Sequence, residues 1–145
     1  MHIAKILFPT DFSHCSDAGL DFATQLAKHL GATLLIVHIE EAPLAYGGGE
    51  MYYGMPEPNT DALRQMLERV KPSDDAVRYE QRLVPGVPAT AICDLAAEEH
   101  VGLIVMGTHG RTGLSRLLMG SVAEHVMREA PCPVLTYKER NVQPE

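Results

Sequence analysis

The chain has 145 residues, 46% hydrophobic and 21% charged, which fits one folded domain and speaks against general disorder. A formal net charge of -7, with Lys and Arg scattered along the chain, would repel a phosphate backbone and speaks against nucleic acid as a partner. Cys15, Cys93 and Cys132 lack CxxC spacing and fit reduced thiols. Met1–Lys5 has no signal-like apolar stretch, and no run of about 18 apolar residues could form a membrane span, so a cytoplasmic protein is expected.

Ile3–Phe8 is a short apolar run stopped by Pro9 and reads as a buried strand. Ala23, Leu26, Ala27 and Leu30 then fall on one face of a helix, which Ser13 or Ser16 can cap and Gly31 can close. Leu34–Val37 is a second strand. The stretch 40–59, with Gly47, Gly48 and Gly49 beside Tyr46, Tyr52 and Tyr53, reads either as a lid or contact surface or as a disordered insertion.

Ala62, Leu63, Met66, Leu67 and Val70 form a second helical stripe, ended by Lys71-Pro72. Val77–Val84 alternates apolar and charged residues, as an edge strand with one wet face does. Pro88 opens a third helix with the stripe Ile92, Leu95, Ala96 and Glu99. Leu103–Met106 is a fully apolar strand ending at Gly107. After a glycine-rich loop, Val122, Ala123, Val126 and Met127 mark a fourth helix. Pro131 and Pro133 stop it, and Val134–Tyr137 is the last strand. The methionines mostly fall on these stripes and are expected in the core.

Strands alternating with helices imply a parallel sheet covered on both faces, over a single domain spanning 1-145. Such sheets bind ligands beyond the carboxyl ends of their strands. Two strand ends suit a ligand: Pro9-Thr10-Asp11, and Gly107-Thr108-His109-Gly110 with the Gly120-Ser121 that follows. Glycines there permit close backbone approach, and the helix opening at Gly120-Ser121 offers unpaired N–H groups to an anion. Arg111 and Arg116 can offset phosphate charge. The string is neither a P-loop nor a dinucleotide fingerprint. From the residues alone, a loop merely shaped by glycines remains the alternative.

The string G-x2-G-x9-G-[ST], here Gly107, Gly110, Gly120 and Ser121, resembles that of the ATP-binding branch of the universal stress protein family. The opening Lys5–Ser13, the flanks Ile104–Gly107 and Gly120–Val126, and Ala130–Leu135 extend the resemblance over the whole chain. It implies an open five-stranded parallel sheet in order 3-2-1-4-5, α/β and Rossmann-like, with helices on both faces. It also implies that Pro9, Thr10 and Asp11 take the adenosine end of ATP, Asp11 bonding ribose or base, while Val37 packs on adenine. Gly107 and Gly110 would approach ribose and phosphate, and Gly120, Ser121 and Val122 would hold the β- and γ-phosphates. Met106, Thr108, His109 and Arg111 complete the binding set. Mg²⁺ would be held by phosphates and water. A homodimer through the last strand is implied, although Thr136-Tyr137-Lys138 is less aliphatic than in many relatives. In that strand Leu135→Pro would remove an edge donor if the Leu135 N–H points outward.

Each site residue also has a plainer reading. Asp11 could be only a helix cap, and His109 only a loop-shaping or solvent-facing residue. His14-Cys15 lacks further ligands at zinc-like spacing, so no metal site is expected. No catalytic residue is assigned. The expected function is an ATP-binding regulator or stress-response factor. The rivals are a weak ATPase or nucleotidyl-transferring enzyme in the same crevice, and a module that binds a protein partner under control of ATP.

Overall fold

A computed structural model describes residues 2–41, 60–108 and 119–138, apart from the side chains of His14 and Cys15. Its elements in chain order are β1 (Lys5–Pro9), α1 (His14–Leu30), β2 (Thr33–Glu40), α2 (Thr60–Glu68), β3 (Tyr79–Pro85), α3 (Pro88–Glu98), β4 (Leu103–Gly107), α4 (Ser121–Glu129) and β5 (Val134–Tyr137). The strands form one parallel sheet in the order β3-β2-β1-β4-β5, as expected.

The period of two along the central strands divides the core into two layers. Leu7, Leu35, Val37, Ile104 and Met106 pack on Ile92, Leu95 and Ala96 of α3 and on Ala123 and Val126 of α4. Ile6, Phe8, Leu34, Ile36 and Val105 point the other way, onto Leu20, Ala23 and Ala27 of α1 and Leu67 of α2. Strands buried on both faces need no alternation with polar residues, which is why β1 and β4 read as plain apolar runs.

The helix ends follow the local chemistry. Ser13 is the N-cap of α1 and its side chain accepts the Ser16 N–H. Gly31 closes that helix at φ 65, a left-handed conformation that a glycine adopts without a Cβ clash. Pro88 sits in the first turn of α3, where no N–H is needed. Gln81 on β3 donates its amide to the carbonyls of Leu67 (2.9 Å) and Val70 (2.8 Å), tying β3 to the last turn of α2 and the residues just after it.

Several expectations need correcting. α2 ends at Glu68, short of Lys71-Pro72, and its only buried residue is Leu67. Met66 and Met127 are 38% and 47% exposed, so neither is core. Each lies on the flank of a nine-residue helix that buries only a narrow stripe. Leu30 likewise ends up exposed, beside the Gly31 cap. Glu99, placed on an apolar stripe, is instead the C-cap of α3 and pairs with Lys5 at 2.8 Å and Arg82 at 3.0 Å.

The orientation of Leu135 also differs from the edge-donor expectation. The carbonyls of Pro133 and Tyr137 accept from Ile104 N–H (3.0 Å) and Thr108 N–H (3.1 Å), so both point toward β4. Backbone groups alternate sides along a strand, and Leu135 shares their parity. The Leu135 N–H therefore faces β4, and the outer edge of β5 belongs to Val134 and Thr136. Tyr137 packs its ring on α1 at Gly19, where an added Cβ would collide with the phenol end. Cys93 and Cys132 are free thiols packed beside the α3–α4 layer. Burial pushes both thiols up, with the carboxylates of Asp94 and Glu129 adding to the effect at Cys93, so both stay protonated at neutral pH. Among the described residues no helix is long and apolar enough to cross a membrane.

Candidate functional site

β1 has β2 on one side and β4 on the other, so the chain's connections diverge from the β1–β4 boundary. That divergence opens a crevice outside the carboxyl ends of the two strands. Pro9, Thr10 and Asp11 lie at or just beyond the carboxyl end of β1, and Gly107 and Thr108 at or just beyond that of β4.

The β1 side is a tightly bonded turn. Thr10 is buried and its N–H donates to the Val37 carbonyl at 2.8 Å. Its hydroxyl oxygen accepts the Phe12 N–H at 3.1 Å. Asp11 Oδ1 accepts from the Ser13 N–H (3.0 Å) and from Ser16 Oγ (2.8 Å). Burial alone would raise the Asp11 pKa, but the hydrogen bonds from Ser13 and Ser16 outweigh it and hold the carboxyl below its ordinary value. Asp11 is therefore an anion at neutral pH, oriented by the start of α1. The helix cap itself is Ser13.

The β4 side is closed by backbone bonds. Thr108, also buried, donates its N–H to Tyr137 O at 3.1 Å. Its carbonyl accepts the Gly120 N–H at 2.7 Å. This bond sets the start of α4 beside the end of β4. Gly120 is the N-cap, with no side chain to satisfy the first turn. The first intrahelical bond runs from Glu124 N–H to Gly120 O, so the N–H groups of Ser121, Val122 and Ala123 precede the helical ladder. The Gly120 amide is engaged by Thr108, so the N–H groups ahead of the ladder are those of Ser121, Val122 and Ala123.

The remaining expected site residues take different positions. Val37 is fully buried and lies in the α3–α4 layer with Met106, beneath the crevice. It meets the site through its carbonyl on Thr10. Ser121 is exposed, and Val122 is half-buried against the same layer. His109, Gly110 and Arg111 lie outside the described residues, as do Arg116 and the tyrosine-rich stretch of 42–59.

Two residues at the site have no counterpart in the sequence reading. His38 Nδ1 lies 2.8 Å from Thr10 O, and the His38 ring meets Phe12 with centroids 4.3 Å apart at 36°. Phe12 has φ 65, uncommon for a residue with a Cβ. Nothing in the local pattern marks a phenylalanine for that conformation, and its histidine partner is on another strand.

One end of the crevice thus offers a carboxylate acceptor, suited to hydroxyl or amine donors. The other offers helix-start N–H groups, suited to an anion. Among the described residues no group of three or more His, Cys, Asp or Glu could hold a metal ion.

Comparison with known proteins follows the same lines. The universal stress protein family model matches residues 2–138. A universal stress protein of Methanocaldococcus jannaschii is 35% identical over 141 residues, which cover 93% of this chain and 82% of the relative. A universal stress protein structure in complex with cAMP is similar at TM-score 0.68 and 28% identity, covering 94% of this chain and 98% of that one. The universal stress protein of Archaeoglobus fulgidus in complex with dAMP is similar at TM-score 0.68 and 25% identity, with the same coverage of 94% and 98%.

Proposed function

The chain belongs to the universal stress protein family, and from that premise we propose that it binds an adenine nucleotide, ATP foremost, in the β1–β4 crevice. The observation that carries this reading is the Gly120 N–H to Thr108 O bond of 2.7 Å, which sets the start of α4 beside the end of β4, the strand that neighbours β1. Two structural neighbours are complexes with cAMP and dAMP, each an adenine nucleotide with one phosphate. The further phosphates of ATP are assigned to the N–H groups of Ser121 and Val122 and to the Ser121 hydroxyl, aided by the dipole of α4. Thr10 and Asp11 take the adenosine end, and Gly107 lets the ligand approach the backbone. Gly110, His109 and Arg111 keep their places in the motif on the strength of the resemblance alone. Mg²⁺ would come bound to the phosphates and water.

The role proposed is a nucleotide-dependent regulator in a stress response. No described side chain at the crevice is posed to activate a nucleophile, so no catalytic step is assigned. A homodimer through the outer edge of β5 is part of the same proposal, since an exposed sheet edge must be paired or blunted.

Gly120→Val tests the phosphate end. A β-branched side chain at the N-cap would crowd an anion drawn to the first turn. Calorimetric titration should show ATP binding weakened by about tenfold or more, about 1.4 kcal/mol, in a protein that still folds. Equal affinities would remove the phosphate assignment.

A further inference from the structure

Thr10 is held on β2 through both of its backbone polar groups. Its N–H reaches the Val37 carbonyl at 2.8 Å, and its carbonyl meets His38 Nδ1 at 2.8 Å. A carbonyl can only accept, so Nδ1 carries the hydrogen and donates. Val37 and His38 are consecutive in β2, so a strand pairing that ends at Pro9–Val37 is extended by one peptide unit into the turn.

The next residues turn sharply. Phe12 adopts φ 65, a left-handed conformation that is costly for a residue with a Cβ. It is held there from two directions. Its N–H donates to Thr10 Oγ1 at 3.1 Å, and its ring lies against His38 with centroids 4.3 Å apart. Starting α1 does not require this conformation, because Ser13 alone supplies the cap. The left-handed residue instead lies between Asp11 and Ser13, inside the turn across which Asp11 Oδ1 accepts from Ser13 N–H and Ser16 Oγ.

We propose that His38 and Phe12 act as a positioning pair, which docks the Thr10–Ser13 turn on β2 and so fixes the Asp11 carboxylate for the sugar or base of the nucleotide. This inference rests on the adenine-nucleotide reading of the crevice. Neither residue touches the ligand in this account. Their effect reaches it through Thr10 and Asp11.

The test uses the full chain and titrates ATP and AMP into the wild type, His38→Ala, His38→Asn and Phe12→Gly. His38→Ala loses the donor to Thr10 and should weaken both nucleotides about equally, by about tenfold, because the turn serves the end they share. Asparagine places an amide N–H near the position of Nδ1, so His38→Asn should recover most of that loss. Phe12→Gly accepts the left-handed backbone without strain but loses the ring, so it should fold and still bind weakly. Wild-type affinity in either His38→Ala or Phe12→Gly would overturn the pair while leaving the nucleotide reading intact. Equal weakness of His38→Ala and His38→Asn would overturn the Nδ1 bond as the cause. A wild type that binds neither nucleotide would overturn the crevice reading, and this inference with it.

Discussion

Asp11 serves the start of α1 through one oxygen, Oδ1, which takes the Ser13 N–H at 3.0 Å and Ser16 Oγ at 2.8 Å. A carboxylate has two oxygens and about four lone-pair sites, so these bonds leave it able to accept from a ligand as well. The two jobs can be separated by substitution. Asp11→Ala should cost about 1 kcal/mol of stability, the usual size of a lost helix-start acceptor. It should also weaken ATP and adenosine alike by roughly tenfold or more, as loss of a bond to a charged group of about 1.5–3 kcal/mol implies. Retention of full adenosine affinity would reduce Asp11 to a structural residue.

The pH dependence gives a second readout of the same carboxyl. Its folded pKa lies below the ordinary aspartate value, so the stabilisation is fully present at pH above that ordinary value. It is lost as pH falls through the lower folded value. Denaturant unfolding of wild type and Asp11→Asn should therefore differ at neutral pH and converge under acid. A constant difference would place the effect elsewhere.

At the scale of elements, three helix ends were legible, while the stop of α2 was not. Ser13, Gly31 and Pro88 sit where a hydroxyl, a missing Cβ and a missing N–H are each an advantage. Face assignments were less secure at the ends of short helices. Met66 and Met127 fit the helical spacing yet face solvent, because periodicity marks a direction and not the reach of the neighbouring layer. Leu135 shows a related limit. Apolar content identified its strand, but which way its N–H points depends on the register with β4, fixed by the bonds at Pro133 and Tyr137.

That register selects the right probe for the proposed dimer. Proline at 135 would break the β4–β5 ladder. Proline at 136 removes an N–H from the outer edge and spares the inner ladder. Thr136→Pro should therefore shift the protein from dimer toward monomer in sedimentation equilibrium at micromolar concentration, with its fold retained. A wild type that sediments as a monomer would refute the dimer, and a dimeric Thr136→Pro would move the interface off β5.

Across the whole molecule, the alternation of strands and helices made the parallel sheet legible. Its order came from the family resemblance and matches the structure. The candidate site was legible only as two strand ends, Pro9-Thr10-Asp11 and Gly107-Thr108, because glycine, proline and polar residues stand out against apolar runs. What joins those ends was not. The Thr108–Gly120 bond closes over residues that are far apart along the chain, and the Thr10–His38 contact links different strands. Such long-range bonds leave no local periodicity to read. Val37 shows the same gap in reverse: its side chain is core, and its carbonyl meets the turn at Thr10.

The central claim is that this crevice holds an adenine nucleotide, and calorimetric titration of the unmodified, nucleotide-free protein with ATP tests it most directly. The account predicts saturable binding at one site per chain, with adenosine and AMP competing for it. Absence of saturable ATP binding, or ATP binding that adenosine and AMP leave undisturbed, would contradict it.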